Sequence, residues 1–394
     1  MTIFTPRDEN DAATIIADAF GKKTTLSVFG RNTKAALGRP ITTDASLSTA
    51  GLTGITLYEP AELVISARSG APVSEVVAAL AQNGQELSFE PMDYGPLLGV
   101  GGEPTIGAVA ALNLSGPRRI MAGAARDSLI GVRFVNGRGE VVKSGGRVMK
   151  NVTGLDLVKL MANSWGTLGV LTEVTFKVLP KHERMATLVL RGLDDRHAID
   201  AMSSALGSPF DVTGAAHLPA PDLQGARTLI RLEGFSVSVD YRLTEMRRLL
   251  KRFGTGDILE GKAAEALWAS VRDATVLGDH DERAIWRVSS GPTRGPDVAA
   301  HLAKARDARW FYDWGGGLVW ISTPASGDAG AAIIREATRE FGGHATLVKA
   351  PEALRASIDV LEPQSDAVMA LSRGIKTSFD PAGILNPGRM YAGI

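Results

Sequence analysis

The 394-residue sequence contains no cysteine. That single absence excludes disulfides, thiolate metal sites, iron–sulfur ligation through cysteine and a cysteine nucleophile. Net charge is also missing, because 43 basic residues balance 43 acidic ones. Without a basic excess there is no electrostatic case for nucleic acid or for an anionic membrane surface. The opening M-T-I-F-T-P-R-D-E-N-D has no basic-then-apolar leader pattern, and no apolar run reaches transmembrane length. The expectation is a cytoplasmic chain with no transmembrane segment. The histidines, His182, His197, His217, His280, His301 and His344, have no metal-ligand spacing. Asp279-His280-Asp281-Glu282 reads as a solvated acidic loop, and no metal is expected. The G-x-S-x-G, Walker and H-E-x-x-H motifs are absent, as are low-complexity segments and any internal sequence repeat.

What the chain does have is length enough for two domains and a large share of glycine. The 44 glycines fall heavily before residue 170, where the backbone must take unusual angles or approach something closely. The stretch 103–116, E-P-T-I-G-A-V-A-A-L-N-L-S-G, is the most informative. Turn residues run into a helical segment in which Gly107, Ala108, Ala110 and Ala111 are all small. A helix start with exposed N–H groups, and Thr105 to cap it, suits a diphosphate. The same segment could equally be a helix packed tightly on a neighbour. A second turn, Gly30-Arg31-Asn32-Thr33-Lys34, offers consecutive amides, a hydroxyl and a cation, which makes it either a phosphate nest or a plain basic turn. A third glycine group at Lys150-Asn151-Val152-Thr153-Gly154 and Gly166 to Gly169 suggests backbone against a flat ring, or a bulge where a strand begins. Two separated turns do not fit the single G-x-G-x-x-G of a dinucleotide fold. Together the turns suggest a cofactor clamped by several loops.

Hydrophobic patterning predicts strands over 26–29, 55–58, 63–68 and 169–179, a helix over 73–80, and a hairpin turning on Asn136-Gly137. From Lys181 onward it predicts strands over 186–190, 228–232, 284–288, 310–314 and 318–322, with helices near 198–206, 241–253 and 331–341. Gly315-Gly316-Gly317 reads as a hairpin connection. The last thirty residues read as a helix and a turn-rich tail. The fold class expected is α+β.

These residues resemble the FAD-binding domain of the vanillyl-alcohol oxidase / p-cresol methylhydroxylase (PCMH) superfamily, and within it the E subunits of bacterial glycolate oxidases. The resemblance runs through Pro104-Thr105-Ile106-Gly107-Ala108 with Asn113-Leu114-Ser115-Gly116, then Gly123-Ala124-Ala125-Arg126-Asp127. It continues through Ser164-Trp165-Gly166-Thr167-Leu168-Gly169-Val170 and the D-P-x-x-x-L-N-P-G of 380–388. S-G-P-R-R at 115–119, G-G-R-V-M-K-N-V-T-G at 145–154 and D-W-G-G-G at 313–317 carry the closer likeness.

The resemblance implies a two-subdomain PCMH-type FAD-binding domain over 1–180, an α+β cap over 181–362, and a C-terminal helix and tail, 363–394, returning to the FAD domain. The pyrophosphate would lie between Gly30, Arg31, Asn32, Thr33 and Lys34 on one side and Gly101, Gly102, Thr105, Ile106 and Gly107 on the other. Asn113, Ser115, Gly116, Gly123 and Arg126 would flank the cofactor. Gly166, Gly169 and Val170 would present backbone to it, and Arg389 would return with the tail. Arg31 and Asn32 stand where relatives carry glycines, so a left-handed Arg31 would store about 1–2 kcal/mol. With no histidine in that loop and no cysteine, the FAD is expected to be non-covalent. The cap motif H-x-G-D-G-N-x-H of 2-hydroxy-acid dehydrogenases is reduced to Tyr312-Asp313-Trp314-Gly315-Gly316-Gly317. No catalytic residue is assigned on this basis. The implied setting is a glycolate oxidase complex with a flavin-containing D subunit and an iron–sulfur F subunit, peripheral to the inner membrane through that complex. A self-sufficient flavin dehydrogenase, or a scaffold with a vestigial flavin site, remain the alternative readings.

Overall fold

The computed structural model describes residues 1–146, 155–219, 225–278, 283–304 and 307–394. The stretches 150–154 and 279–282 singled out above, His280 included, lie outside the described residues. The chain forms two units: Met1–Ser115, Gly123–Lys181 and Pro363–Ile394 make the first, Gly116–Ala122 and His182–Glu362 the second.

The strands of the first unit are β1 (Thr2–Phe4), β2 (Leu26–Phe29), β3 (Ala45–Ser48), β4 (Ile55–Glu59), β5 (Val64–Arg68), β6 (Gln85–Glu86), β7 (Leu129–Val135), β8 (Val141–Gly145), β9 (Val170–Lys177) and β10 (Leu179–Pro180). A small parallel sheet has the order β1-β3-β2. An antiparallel sheet has the order β4-β5-β9-β7-β8, and β6 pairs with β10. The helix Glu9–Lys22 starts on Asp8, whose carboxylate accepts from the Asp11 amide, and stops at left-handed Lys23. Ala12, Ile16 and Ala19 recur at helical spacing and bury against Leu26, Leu47, Val135, Val170, Ile384 and Leu385. The tail residues Ile384 and Leu385 therefore belong to the core of the unit that the N-terminal strands begin. The β7–β8 hairpin turns on Asn136 as expected, its side chain accepting from the Arg138 and Glu140 amides at 2.9 and 3.1 Å.

The second unit contributes β11 (Arg184–Arg191), β12 (Val212–Leu218), β13 (Arg227–Gly234), β14 (Asp257–Glu260), β15 (Arg283–Ser289), β16 (Arg309–Asp313), β17 (Leu318–Pro324) and β18 (His344–Lys349). They form one antiparallel sheet in the order β14-β11-β13-β12-β16-β17-β15-β18. That order is the same motif written twice. β11, the helix Asp195–Leu206, β12, β13, the helix Ser236–Leu249 and β14 form one βαββαβ half. β15, the helix Gly295–Leu302, β16, β17, the helix Ala331–Phe341 and β18 form the other. The halves meet at β12 and β16, where the register pair is His217 with Tyr312. No repeat is visible in the sequence, so the duplication belongs to the burial pattern rather than to residue identity. Gly315 and Gly316, at φ +64° and +101°, turn the chain from β16 into β17, as a hairpin connection should.

Candidate cofactor site

The first turn leaves β2 at Phe29. Asn32 takes the left-handed conformation at φ 62°, while Arg31 does not. The strain anticipated at Arg31 is therefore absent, because asparagine tolerates this region far better than a long side chain does. Gly30 is required for space rather than for its dihedral: a Cβ there would lie 2.3 Å from the Thr105 hydroxyl oxygen. Glu103 ties the two turns together, pairing with the Arg31 guanidinium at 3.0 Å and accepting from the Ser74 hydroxyl at 2.8 Å. Lys34 is 8% exposed, with its ammonium 3.3 Å from the Thr33 hydroxyl. Burial lowers its pKa to about 8, and the charge of Asp93 opposes that shift.

The second turn differs from the expectation in one important respect. The helix Ile106–Leu112 begins at Thr105, but the Thr105 side chain caps nothing. The amides of Ile106 and Gly107 donate to the carbonyls of Ala71 and Ser69 at 3.0 and 2.9 Å. Two of the amides expected to face a diphosphate, those of Ile106 and Gly107, are thus engaged by the strand-to-helix segment after β5. What lacks a partner instead are two hydroxyls, those of Thr105 and Ser69, on residues each 1% exposed.

The third wall is the turn before β9. Asn163, Trp165 and Gly166 all have positive φ, and the Trp165 amide donates to the Ala111 carbonyl at 3.0 Å. Asn386, from the C-terminal tail, locks this turn to β2. Its amide group donates to the Trp165 carbonyl at 2.8 Å, and its oxygen accepts from the Val28 amide at 2.7 Å. Arg389 reaches the Ala35 carbonyl at 2.9 Å.

Between these walls lies a cleft with about 880 Å³ of empty space when its solvent-open mouth is counted. Of the residues expected to bind a cofactor, Gly30, Arg31, Asn32, Thr33, Lys34, Thr105, Gly107, Gly166, Gly169 and Arg389 line it. Ile106 and Val170 are buried behind the lining, whereas Gly101 and Gly102 are exposed beyond it. Asn113, Ser115 and Arg126 are joined to one another instead. The Asn113 side chain accepts from the Arg126 amide at 2.8 Å, and the Ser115 hydroxyl from the Ala125 amide at 2.9 Å. Gly123 has φ +77° beside Asp127, and Gly116 falls in the second unit, its carbonyl accepting from the Trp314 indole at 3.1 Å. Sequence reading missed Ser69 and Thr49 in the lining. A serine directly after a strand and before Gly70 was the available signal for the first.

The described lining holds three cations, Arg31, Lys34 and Arg389, and no carboxylate, histidine, tyrosine or cysteine. Gly107, Ala108, Ala111, Gly166 and Gly169 add a glycine and alanine wall of small residues to the same lining, which leaves room for a ring. Cations, unpartnered buried hydroxyls and small residues in one lining fit a dinucleotide with a diphosphate and a planar ring.

Comparison with known proteins follows the same lines. Residues 2–145 match the model of the FAD binding domain, and 359–390 that of the C-terminal domain of FAD linked oxidases. Glycolate oxidase subunit GlcE of Escherichia coli is 34% identical over 96% of this chain and 95% of its own. The chain belongs to the GlcE family of FAD-linked oxidoreductases. Glycolate oxidase subunit GlcD of Bacillus subtilis is a more distant relative, 26% identical over 73% of this chain and 68% of its own. Among solved structures, 4-ethylphenol oxidase from Gulosibacter chungangensis superposes with a TM-score of 0.74 at 14% identity, covering 99% of this chain and 89% of that one. p-Cresol methylhydroxylase gives 0.74 at 13% identity over 99% and 88%. The fold is therefore of the PCMH type, and FAD is the cofactor that the GlcE family's domain binds.

In the second unit, residues 312–317 are engaged structurally. The Tyr312 hydroxyl donates to Asp195 at 2.6 Å, and Asp313 accepts from the Trp314 amide at 2.7 Å. Arg118 grips Glu233 with two hydrogen bonds of 2.8 and 2.7 Å. Burial raises the pKa of Glu233, but the Arg231 charge and the Arg118 pair outweigh it and bring it to about 2. Among the described residues no group of three or more histidines and carboxylates is placed to hold a metal, and no helix is long and apolar enough to cross a membrane.

Two predictions arise from the cleft. Acid precipitation of the flavin-loaded protein should release all of the yellow colour, since the lining offers no side chain of the kinds that attach flavin; colour left in the pellet would contradict this. The second concerns pH. Lys34 must be an ammonium to hold a diphosphate, so FAD affinity should fall as pH rises through about 8. Apoprotein stability should move the other way. A lysine whose folded pKa lies below its unfolded value binds fewer protons when folded, so its contribution to stability grows between about pH 8 and the unfolded value. Flavin titrations from pH 7 to pH 9.5 check the first slope and urea denaturation of the flavin-free protein over the same range checks the second, each with Lys34→Met as the pH-insensitive control.

Proposed function

We propose that this chain is the FAD-binding subunit of a glycolate oxidase, supporting the conversion of glycolate to glyoxylate while electrons pass to partner subunits. One observation carries the reading: a cation-lined, carboxylate-free cleft lies within a chain that matches GlcE of E. coli along nearly its whole length. FAD, when bound, supplies a two-electron oxidant. Arg31, Lys34 and Arg389 neutralise its diphosphate, and Arg31 is itself held by Glu103. The glycine and alanine wall gives the planar ring a surface without side chains to collide with. Asn386 fixes the distance between two of the walls.

Substrate oxidation belongs to a partner in this reading. In the second unit Asp195, Asp313 and Glu233 are each bonded to neighbouring groups of the same unit. Abstracting a hydroxyl proton as hydride leaves needs a base or a cation close to the substrate. A D subunit related to GlcD fills that role, and an iron–sulfur F subunit accepts the electrons, because a chain without cysteine cannot ligate a cluster by thiolate. The working location is the cytoplasm, with membrane contact made only through the complex. Anaerobic mixing of flavin-loaded protein with excess glycolate or D-lactate tests the assignment. The oxidised-flavin band should persist in the isolated chain and bleach when the D and F subunits are added. Rapid bleaching by the chain alone would favour a self-sufficient dehydrogenase, and failure to bind any flavin would favour a scaffold.

A further inference from the structure

Among the described residues of the first unit the hydroxyls of Ser69, Thr105 and Ser164 are buried without a hydrogen-bond partner, and of these only Ser69 and Thr105 line the cleft. Leaving a buried hydroxyl unpaired carries a desolvation cost with nothing to offset it, so two beside one cleft call for a ligand. Both residues line the same cleft as Lys34, whose ammonium is itself nearly buried. Their placement is imposed by the backbone. Ser69 follows directly after β5, and its carbonyl accepts from the Gly107 amide at 2.9 Å. A Cβ at Gly107 would lie 2.5 Å from the Ser69 Cβ, so the two residues are in direct apposition. Thr105 begins the helix Ile106–Leu112, and its hydroxyl oxygen faces Gly30 of the first turn.

We propose that Ser69 and Thr105 form a hydroxyl pair that donates to the diphosphate of the cofactor, replacing the helix amides that Ala71 and Ser69 engage. The inference rests on the FAD reading above and adds Ser69, which no family motif marked. The anion is recognised here by side-chain O–H groups and a nearby ammonium, and the Ile106 and Gly107 amides, already engaged, contribute little. An O–H donating to a phosphate oxygen is a charge-assisted hydrogen bond, stronger than one between neutral groups.

The test uses the full-length chain and three variants: Ser69→Ala, Thr105→Val and Thr105→Ser. Affinities for FAD and, separately, for ADP are measured by titration, and the flavin-free proteins are melted. Ser69→Ala and Thr105→Val should each weaken FAD by about tenfold, the equivalent of about 1.4 kcal/mol for one lost charge-assisted bond. ADP, which carries the same diphosphate, should weaken by a similar factor. Thr105→Ser keeps the hydroxyl and should retain most of the affinity. Flavin-free Ser69→Ala should melt at or above the wild-type temperature, because an unpaired buried hydroxyl has been removed. A structural hydroxyl would give the reverse, a less stable flavin-free protein, and that result would overturn the assignment. So would unchanged FAD affinity, or a loss for FAD that ADP does not share. Absence of flavin binding by the wild type would instead sink the FAD reading itself, which keeps the two failures apart.

Discussion

Asp380→Ala should destabilise the first unit by about 3–5 kcal/mol, the range for breaking a buried ion pair by removing one partner. Asp380 is 1% exposed, and one of its oxygens accepts from the Lys376 ammonium at 2.7 Å and from the Leu385 amide at 2.8 Å. The other accepts from the Ile384 amide at 3.1 Å. Lys376 also donates to the carbonyls of Thr167 and Leu385, both at 2.7 Å, so all three of its N–H groups are used. Alanine at 380 leaves that ammonium without its counter-charge in a site water does not reach. Burial has already lowered its pKa, with Asp380 opposing the shift, and loss of the carboxylate would favour the neutral amine. Urea denaturation of the flavin-free protein measures the effect through the midpoint. A change below about 1 kcal/mol, the scale of a surface pair, would show that the pair is not what holds the tail in place. Lys376→Met should be nearly as damaging, while Lys376→Met with Asp380→Leu should recover part of the loss.

Gly107→Val should prevent the first unit from reaching its native packing, with flavin retention lost as a consequence. The added Cβ would lie 2.5 Å from the Ser69 Cβ, 2.6 Å from its carbonyl oxygen and 2.9 Å from its Cα. Two of those atoms are backbone, so no rotamer change relieves the contact. Separation of the segments would break the hydrogen bonds from Ile106 and Gly107 to Ala71 and Ser69. Overpacking alone costs about 1–3 kcal/mol, and the broken bonds add to it. Gly169→Val meets Phe134 at 2.7 Å and the Val135 carbonyl at 2.9 Å, with the same expectation. From the sequence alone these glycines would be kept small for the cofactor, and a valine would empty the site without disturbing the fold. The structure assigns their smallness to protein packing first. Far-UV circular dichroism and melting of the flavin-free variants decide the matter: native-like melting would return both positions to the cofactor.

The difference between those expectations marks how far the sequence could be read. β5, β9 and β17 are rich in branched apolar residues, and the apolar runs that predict them fall in place within two residues at either end. β3, A-S-L-S, and β12, V-T-G-A-A-H-L, are fully buried but built largely of small and polar residues, so neither presents a hydrophobic alternation. The loops of the cleft were legible through their turn residues and motif order. Which groups in them have hydrogen-bonding capacity to offer was not, because that depends on which carbonyls from elsewhere reach the helix start. The exchange of Arg31 for Asn32 as the left-handed residue has a simpler origin: either of two adjacent residues could take the turn, and asparagine tolerates it better than arginine. The doubled βαββαβ unit could not be seen at all, since two halves of one sheet need only matching patterns of burial to adopt one topology.

The return of the chain to the first unit has a consequence for biosynthesis. Leu26 bonds through its amide to Ile384 and through its carbonyl to the Asn386 amide, so β2, already paired with β3 on one side, gains its neighbour on the other only after the intervening second unit has been made. A ribosome emits residues in order, and domains fold as they emerge. The doubled sheet, whose strands lie within His182–Glu362, can close while the earlier unit still waits for its last segment. The cleft acquires Asn386 and Arg389 only then, which places cofactor loading after translation of the tail and makes the nascent N-terminal unit the part most in need of protection.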